Sequence, residues 1–221
     1  MMTSARKWTH RVGYITAALV AFVLLAVGGL EFQLWRKDRG RRFHDMERTQ
    51  THTGPLSPSK VRYRPDATDV LSTLPPRDPE NGLSFVVMPS LRGEWFAYSL
   101  HVPTQPGPAE GNLNIFPRNL ETGNFGPPQI VRFNMPASGG RALLSRVANL
   151  TKDWSGEIEQ CFDGTEVAFE LVNFGKITSG AGNSSCSEHY GELSILIFKS
   201  VRGAIPQAIR PVGKSWNAKE R

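Results

Sequence analysis

Apolar and polar positions follow three regimes along the chain. Residues 12–30 are 19 consecutive uncharged residues, VGYITAALVAFVLLAVGGL, apolar on every side of a helix. At 1.5 Å per residue such a helix rises about 28 Å, close to the roughly 30 Å of a bilayer's hydrocarbon core. In lipid a helix satisfies its own backbone hydrogen bonds, and Trp8, Tyr14 and Trp35 lie where amphipathic rings settle at the two interfaces. The pattern predicts a transmembrane signal anchor over residues 12–34 behind a cationic tail, residues 1–11. A cleavable signal peptide is the rival reading, since Arg6, Lys7 and Arg11 form a positive n-region and Ala26-Val27-Gly28 suits a small-residue cleavage site. The apolar run exceeds the usual signal core, which favours the anchor.

Residues 35–82 have only scattered apolar positions without a sustained period. They are basic at first and rich in proline after Gly54, so the pattern predicts a flexible linker that buries too little surface to offset its ordering entropy. Its first part, to about residue 50, can extend the membrane helix by a few turns.

From residue 83 the chain breaks into short runs punctuated by Gly, Pro and Asn. Residues 83–88, 94–102, 112–116 and 129–135 are rich in β-branched and aromatic side chains at strand length. Residues 157–162 and 165–172 flank Asp163-Gly164, a pair suited to a type I′ hairpin turn. Residues 191–201 read as a long final strand. One helix interrupts them at 138–149, where Leu143, Leu144, Val147 and Ala148 form one stripe. The predicted fold class is α+β: a small, mostly antiparallel β domain with one packed helix over residues 83–203, followed by a flexible tail, 204–221. Phe85, Trp95, Phe116, Phe133, Trp154, Phe169 and Phe198 are the expected large core side chains.

Composition changes this picture in one respect. The 221 residues hold 26 Lys and Arg against 20 Asp and Glu, a net charge of +6. Residues 1–64 alone hold twelve bases and four acids, so the rest of the chain is slightly acidic. A folded basic surface would favour nucleic acid, whereas cations beside an apolar segment are what anionic head groups attract. Arg36, Lys37, Arg39, Arg41 and Arg42 are therefore expected at a membrane surface, and no specific nucleic-acid partner is implied. The surplus of cations after the apolar run argues for a cytoplasmic C-terminal domain, but long domains translocate largely regardless of charge, and two cysteines suit an oxidising compartment. The reading places the domain outside the cytoplasm, in the periplasm.

Candidate chemistry is sparse. Cys161 and Cys186 enclose a 26-residue loop, and a disulfide there removes roughly 3 to 4 kcal/mol of unfolded-state entropy. There is no C-x-x-C redox spacing. Cys186-Ser187-Glu188-His189 has half of a zinc pattern, with Cys161 and His101 as distant further ligands, but a solvated loop is the commoner meaning and no metal or other cofactor is expected. Glu157, Glu159, Asp163, Glu166 and Glu170 gather on the predicted hairpin, where paired carboxylates can cleave glycosides but more often form a solvated face. Ser138, Gly139, Gly140 and Arg141 open the helix and can cradle an anion, although Ser138 as an N-cap accounts for the same residues. Asn149 and Asn183 begin N-x-S/T sequons, relevant only in a glycosylating pathway.

The sequence thus describes a single-pass, membrane-tethered protein with the lipid bilayer and an envelope protein as partners. The leading function is a non-enzymatic interaction or accessory module of a cell-envelope assembly. An envelope hydrolase using acids of the 157–170 hairpin is one alternative, with His189 as a further acid/base group. Lipid or nucleic-acid binding through the basic juxtamembrane arm is another.

Overall fold

The computed structural model describes residues 4–57, 70–74, 80–158 and 164–205, with side chains from residue 20 onward. Cys161, Glu159, Asp163, the side chains of Trp8 and Tyr14, and the tail from residue 206 lie outside the described residues. The chain divides into two units, Met1–His44 and Asp45–Arg221.

The first unit is a single helix. Helix α1 spans Ser4–Thr49, so residues 35–49, the part of the expected linker able to extend the helix, are helical. Lys, Arg, Glu and Met there are good helix formers, and the first proline after the apolar run is Pro55. Phe22, Leu24, Leu25, Leu30, Phe32 and Leu34 are all exposed, on all sides of the helix. Among the described residues no helix is long and apolar enough to cross a membrane. Side chains at positions 12–19 of the apolar run fall outside that description.

The second unit is α+β. Its elements are β1 (His52–Thr53), β2 (Asn81–Pro89), β3 (Glu94–His101), β4 (Ala109–Pro117), β5 (Gln129–Met135), α2 (Ala137–Thr151), β6 (Thr165–Asn173), β7 (Lys176–Asn183) and α3 (Glu188–Val201). The strands form one antiparallel sheet in the order β1-β7-β6-β2-β3-β4-β5. Strand β6 inserts beside β2, so the sheet's centre joins the chain before α2 to the chain after it. Both neighbours of β2 are strands and both of its faces are buried, which is why LSFVVM reads as a continuous apolar run instead of an alternation.

Alternation still sorts the side chains. Leu83, Phe85, Val87, Tyr98, Leu113, Val167 and Phe169 point to one face, beneath Leu143, Leu144 and Val147 of α2 and Tyr190, Leu193 and Ile197 of α3. Val86, Met88, Trp95, Ala97, Phe116, Ala168 and Ala181 point to the other, covered by Leu56, Val70 and Leu74. Those three residues belong to the expected linker. They are 6% exposed each, and the segment is bound down by polar contacts: β1 pairs with β7, Gly54 N donates to Ile177 O (2.9 Å), and Leu56 N donates to the Glu170 carboxylate (2.6 Å). The linker expectation therefore fails for residues 51–57 and 70–74, where Leu56, Val70 and Leu74 meet a prepared apolar sheet face.

Three further expectations change. Residues 191–201 form a helix, because Ser187 caps it by accepting from Tyr190 N (2.9 Å) and Tyr190, Leu193, Ile197 and Val201 fall on one helical stripe. Residues 159–163 of the expected Asp163-Gly164 hairpin lie outside the described residues, and β6 has β2 and β7 as its neighbours. The two-residue turn from β6 to β7 is Phe174-Gly175, with φ of 51° and 73°. The domain also runs on past residue 203, since Ile205 is 1% exposed within the helix-side core. Of the expected core, six aromatics are buried, while Trp154 is half-buried.

Candidate functional site

Residues 154–157 and the start of α3 build a seat for the last turn of α1, residues 45–49, which belongs to the second unit. Thr49 is 1% exposed. Its hydroxyl donates to Glu157 O and accepts from Glu157 N, both at 2.8 Å, and Tyr190 Oη donates to Thr49 O at 2.5 Å. That last bond satisfies one of the carbonyls a helix C-terminus leaves open. Two glycines make the seat possible. Gly156 has φ +88° and a Cβ there would lie 1.9 Å from Met46 O; at Gly180 a Cβ would lie 2.7 Å from Tyr190 Oη. Small residues in β7 thus admit Tyr190 to the sheet, which explains why SGAG is strand and not the flexible run its composition suggests.

His189 stacks flat on Trp154 with ring centroids 4.0 Å apart and is 6% exposed. Burial disfavours its charged form and lowers its pKa to about 4. The ring is a packing element at neutral pH. Its C-x-x-H partner, Cys186, is disulfide-bonded, so its sulfur is not a thiolate ligand, and no group of three His, Cys, Asp or Glu side chains suited to a metal occurs among the described residues. Cys161, the only other cysteine in the sequence, falls in the undescribed segment.

The acids are dispersed in role. Glu170 is 5% exposed and holds Leu56 N, so it is no part of a solvated face. Glu157 contributes its backbone to the seat of α1. Glu166 shares a face of β6 with Glu170, opposite Asn183 and Met88. Asn183 is 6% exposed, which leaves little room for a glycan, whereas Asn149 is exposed on α2.

The helix-opening residues separate likewise. The N-cap of α2 is Pro136, not Ser138, and no side chain caps the helix. Gly140 donates to Pro136 O, and its missing Cβ would lie 2.8 Å from Val102, so this glycine serves close packing and not a phosphate cradle. Arg141 is exposed and lines a cleft of about 670 Å³ with Gln105, Ser145 and Phe174. Phe174, at the hairpin tip, is 87% exposed. Nothing in the sequence marks it, because phenylalanine is not a turn residue.

On α1, Arg36, Lys37, Arg39, Arg41 and Arg42 are exposed and spread around the helix. Arg42 pairs with Asp38 (2.9 Å) and Arg39 lies over the Trp35 ring (5.1 Å). Ion pairs so exposed contribute little stability.

The sheet's two edges differ. Strand β1, at one edge, is two residues long. Strand β5, at the other, is seven, pairs among the described residues only with β4, and does so through seven uninterrupted registers from Ala109↔Met135 to Ile115↔Gln129. Ile130 (60% exposed), Arg132 and Asn134 project outward on it. No family model matches the chain, and neither the curated proteins nor the solved structures compared with it gave a match.

Proposed function

We propose that this protein is a membrane-tethered, non-enzymatic interaction module of a cell-envelope assembly. The observation that supports it is α1. Its exposed side chains from Val20 to Leu34 are largely apolar on all sides, and exposed basic residues follow from Arg36. An all-round apolar helix is suited to a non-aqueous solvent, and the cations beside it to head groups. Residues 12–34 are the proposed span. The domain lies outside the cytoplasm in this reading, which the disulfide at Cys186 supports, with Cys161 its proposed partner.

No observation favours the hydrolase, because Glu170 is engaged with Leu56 N. Nor does one favour nucleic acid over lipid for the basic arm, whose cations form no single face. Fractionation tests the reading: the intact chain stays in the membrane pellet after an alkaline carbonate wash and leaves it in detergent. A chain released by carbonate, or one whose mature N-terminus begins after Gly28, overturns it. A reporter after Arg221 that is active only in the cytosol reverses the orientation.

A further inference from the structure

Open sheet edges present unpaired backbone N–H and C=O groups, and proteins that need no partner there shorten, bulge, interrupt or cover them. Strand β1 meets that description at two residues. Strand β5 does not: it is seven residues long, regular throughout its pairing with β4, and has prolines only outside its bounds, at Pro128 and Pro136. Its single charged residue is Arg132, which is exposed and makes no ion pair among the described residues. Arg132 also lines a shallow trough of about 430 Å³ over β4 and β5, with Glu110, Asn112 and Asn134.

We propose that the outer edge of β5 adds an extended strand from a different protein, one that carries a carboxylate opposite Arg132. A second copy of this chain is the poorer occupant. Arg132 is the middle residue of Gln129–Met135, so the antiparallel self-pairing that uses all seven residues sets Arg132 against its own counterpart. Like charges directly opposite destabilise a pair, and opposite charges stabilise it. Backbone pairing supplies the affinity and Arg132 the selectivity, as in other strand additions. This rests on the reading of the domain as an interaction module and names the surface that module uses.

The test uses full-length protein in nanodiscs with its disulfide intact. Three labelled, end-capped peptides serve as probes in fluorescence anisotropy: Thr-Val-Thr-Glu-Thr-Val-Thr, the same peptide with Lys for Glu, and the Glu peptide N-methylated at alternate backbone positions. The Glu peptide is expected to bind about three- to tenfold more tightly than the Lys peptide, the N-methylated one not measurably, and Arg132→Glu to invert the preference. Equal binding of the Glu and Lys peptides, binding that survives N-methylation, or a preference indifferent to Arg132→Glu overturns the proposal. A dimer that Arg132→Gln tightens, with no peptide bound, overturns it in favour of a second copy. Cross-links to a partner that map elsewhere on the domain, with no peptide bound, sink the edge and leave the module. Peptide binding by a chain that fractionates without detergent sinks the membrane module and leaves the edge.

Discussion

Phe85 and Val86 are neighbours on β2, at 1% and 0% exposure, but they lie under different kinds of chain. Phe85 sits beneath α2 and α3, whose apolar stripes repeat with helical spacing and interlock with Phe169, Tyr98 and Leu113. Val86 sits beneath a strap of two described pieces: Leu56, on a segment that hydrogen bonds hold to Glu170 and β7, and Val70 and Leu74. Equal burial therefore does not mean equal anchorage. Leu56, Val70 and Leu74 are single side chains with few neighbours of their own kind, so each is expected to open at lower cost than a helix of the first face.

The largest expected effect is on the helix side. Phe169→Ala, at the centre of the sheet and 0% exposed, should cost about 3 to 5 kcal/mol in denaturant unfolding of the full chain in detergent. A cost below about 1 kcal/mol would show that this face is not the main core. Leu56→Ala on the strap should cost about 2 kcal/mol, the low end for a buried leucine. Adding Leu74→Ala should cost less than the sum of the single changes, because both side chains belong to one apolar cluster. Full additivity would mean that the two side chains act independently.

Acid discriminates the faces next. His189 is neutral in the fold, with its pKa lowered from 6.5 to about 4 by burial. Between those values the unfolded chain binds the proton and the native one does not, so stability is complete above about pH 6.5 and declines as pH falls toward 4. The loss should approach about 3 kcal/mol, and His189→Gln should flatten that part of the profile in pH-dependent unfolding. The smallest effect is expected from Tyr190→Phe, which removes the bond to Thr49 O and should cost about 1 kcal/mol while speeding hydrogen exchange at residues 45–54. Unchanged exchange there would mean that Tyr190 does not hold α1.

The same contrast explains what can be read in the sequence. The strand at 129–135 and the helix near 138–149 are legible because each carries its own period and its own boundary residues. The run LSILIF in α3 is ambiguous, since β-branched residues at short range resemble a strand, and only the Ser187 cap and the Tyr190–Leu193–Ile197 spacing mark the helix. Strand β7 is illegible for another reason: its Gly and Ser make room for Tyr190 and Phe169, a property of those neighbours and not of the strand's own pattern. Leu56, Val70 and Leu74 carry too short a pattern to read, because each fits a hollow made by the sheet. Of the candidate site, the cations of α1 and the cleft-lining Arg141 are visible as residue types. The open edge of β5 is not, because edge position depends on where β6 inserts.

The seat of Thr49 has a mechanical consequence. With Tyr190, Glu157 and the β1–β7 pairing gripping the chain within a few residues of the helix end, there is no slack between residues 45 and 54 to absorb a pull. Tension applied at residues 45–49 passes directly into α3 and the edge of the sheet, as strain on the fold.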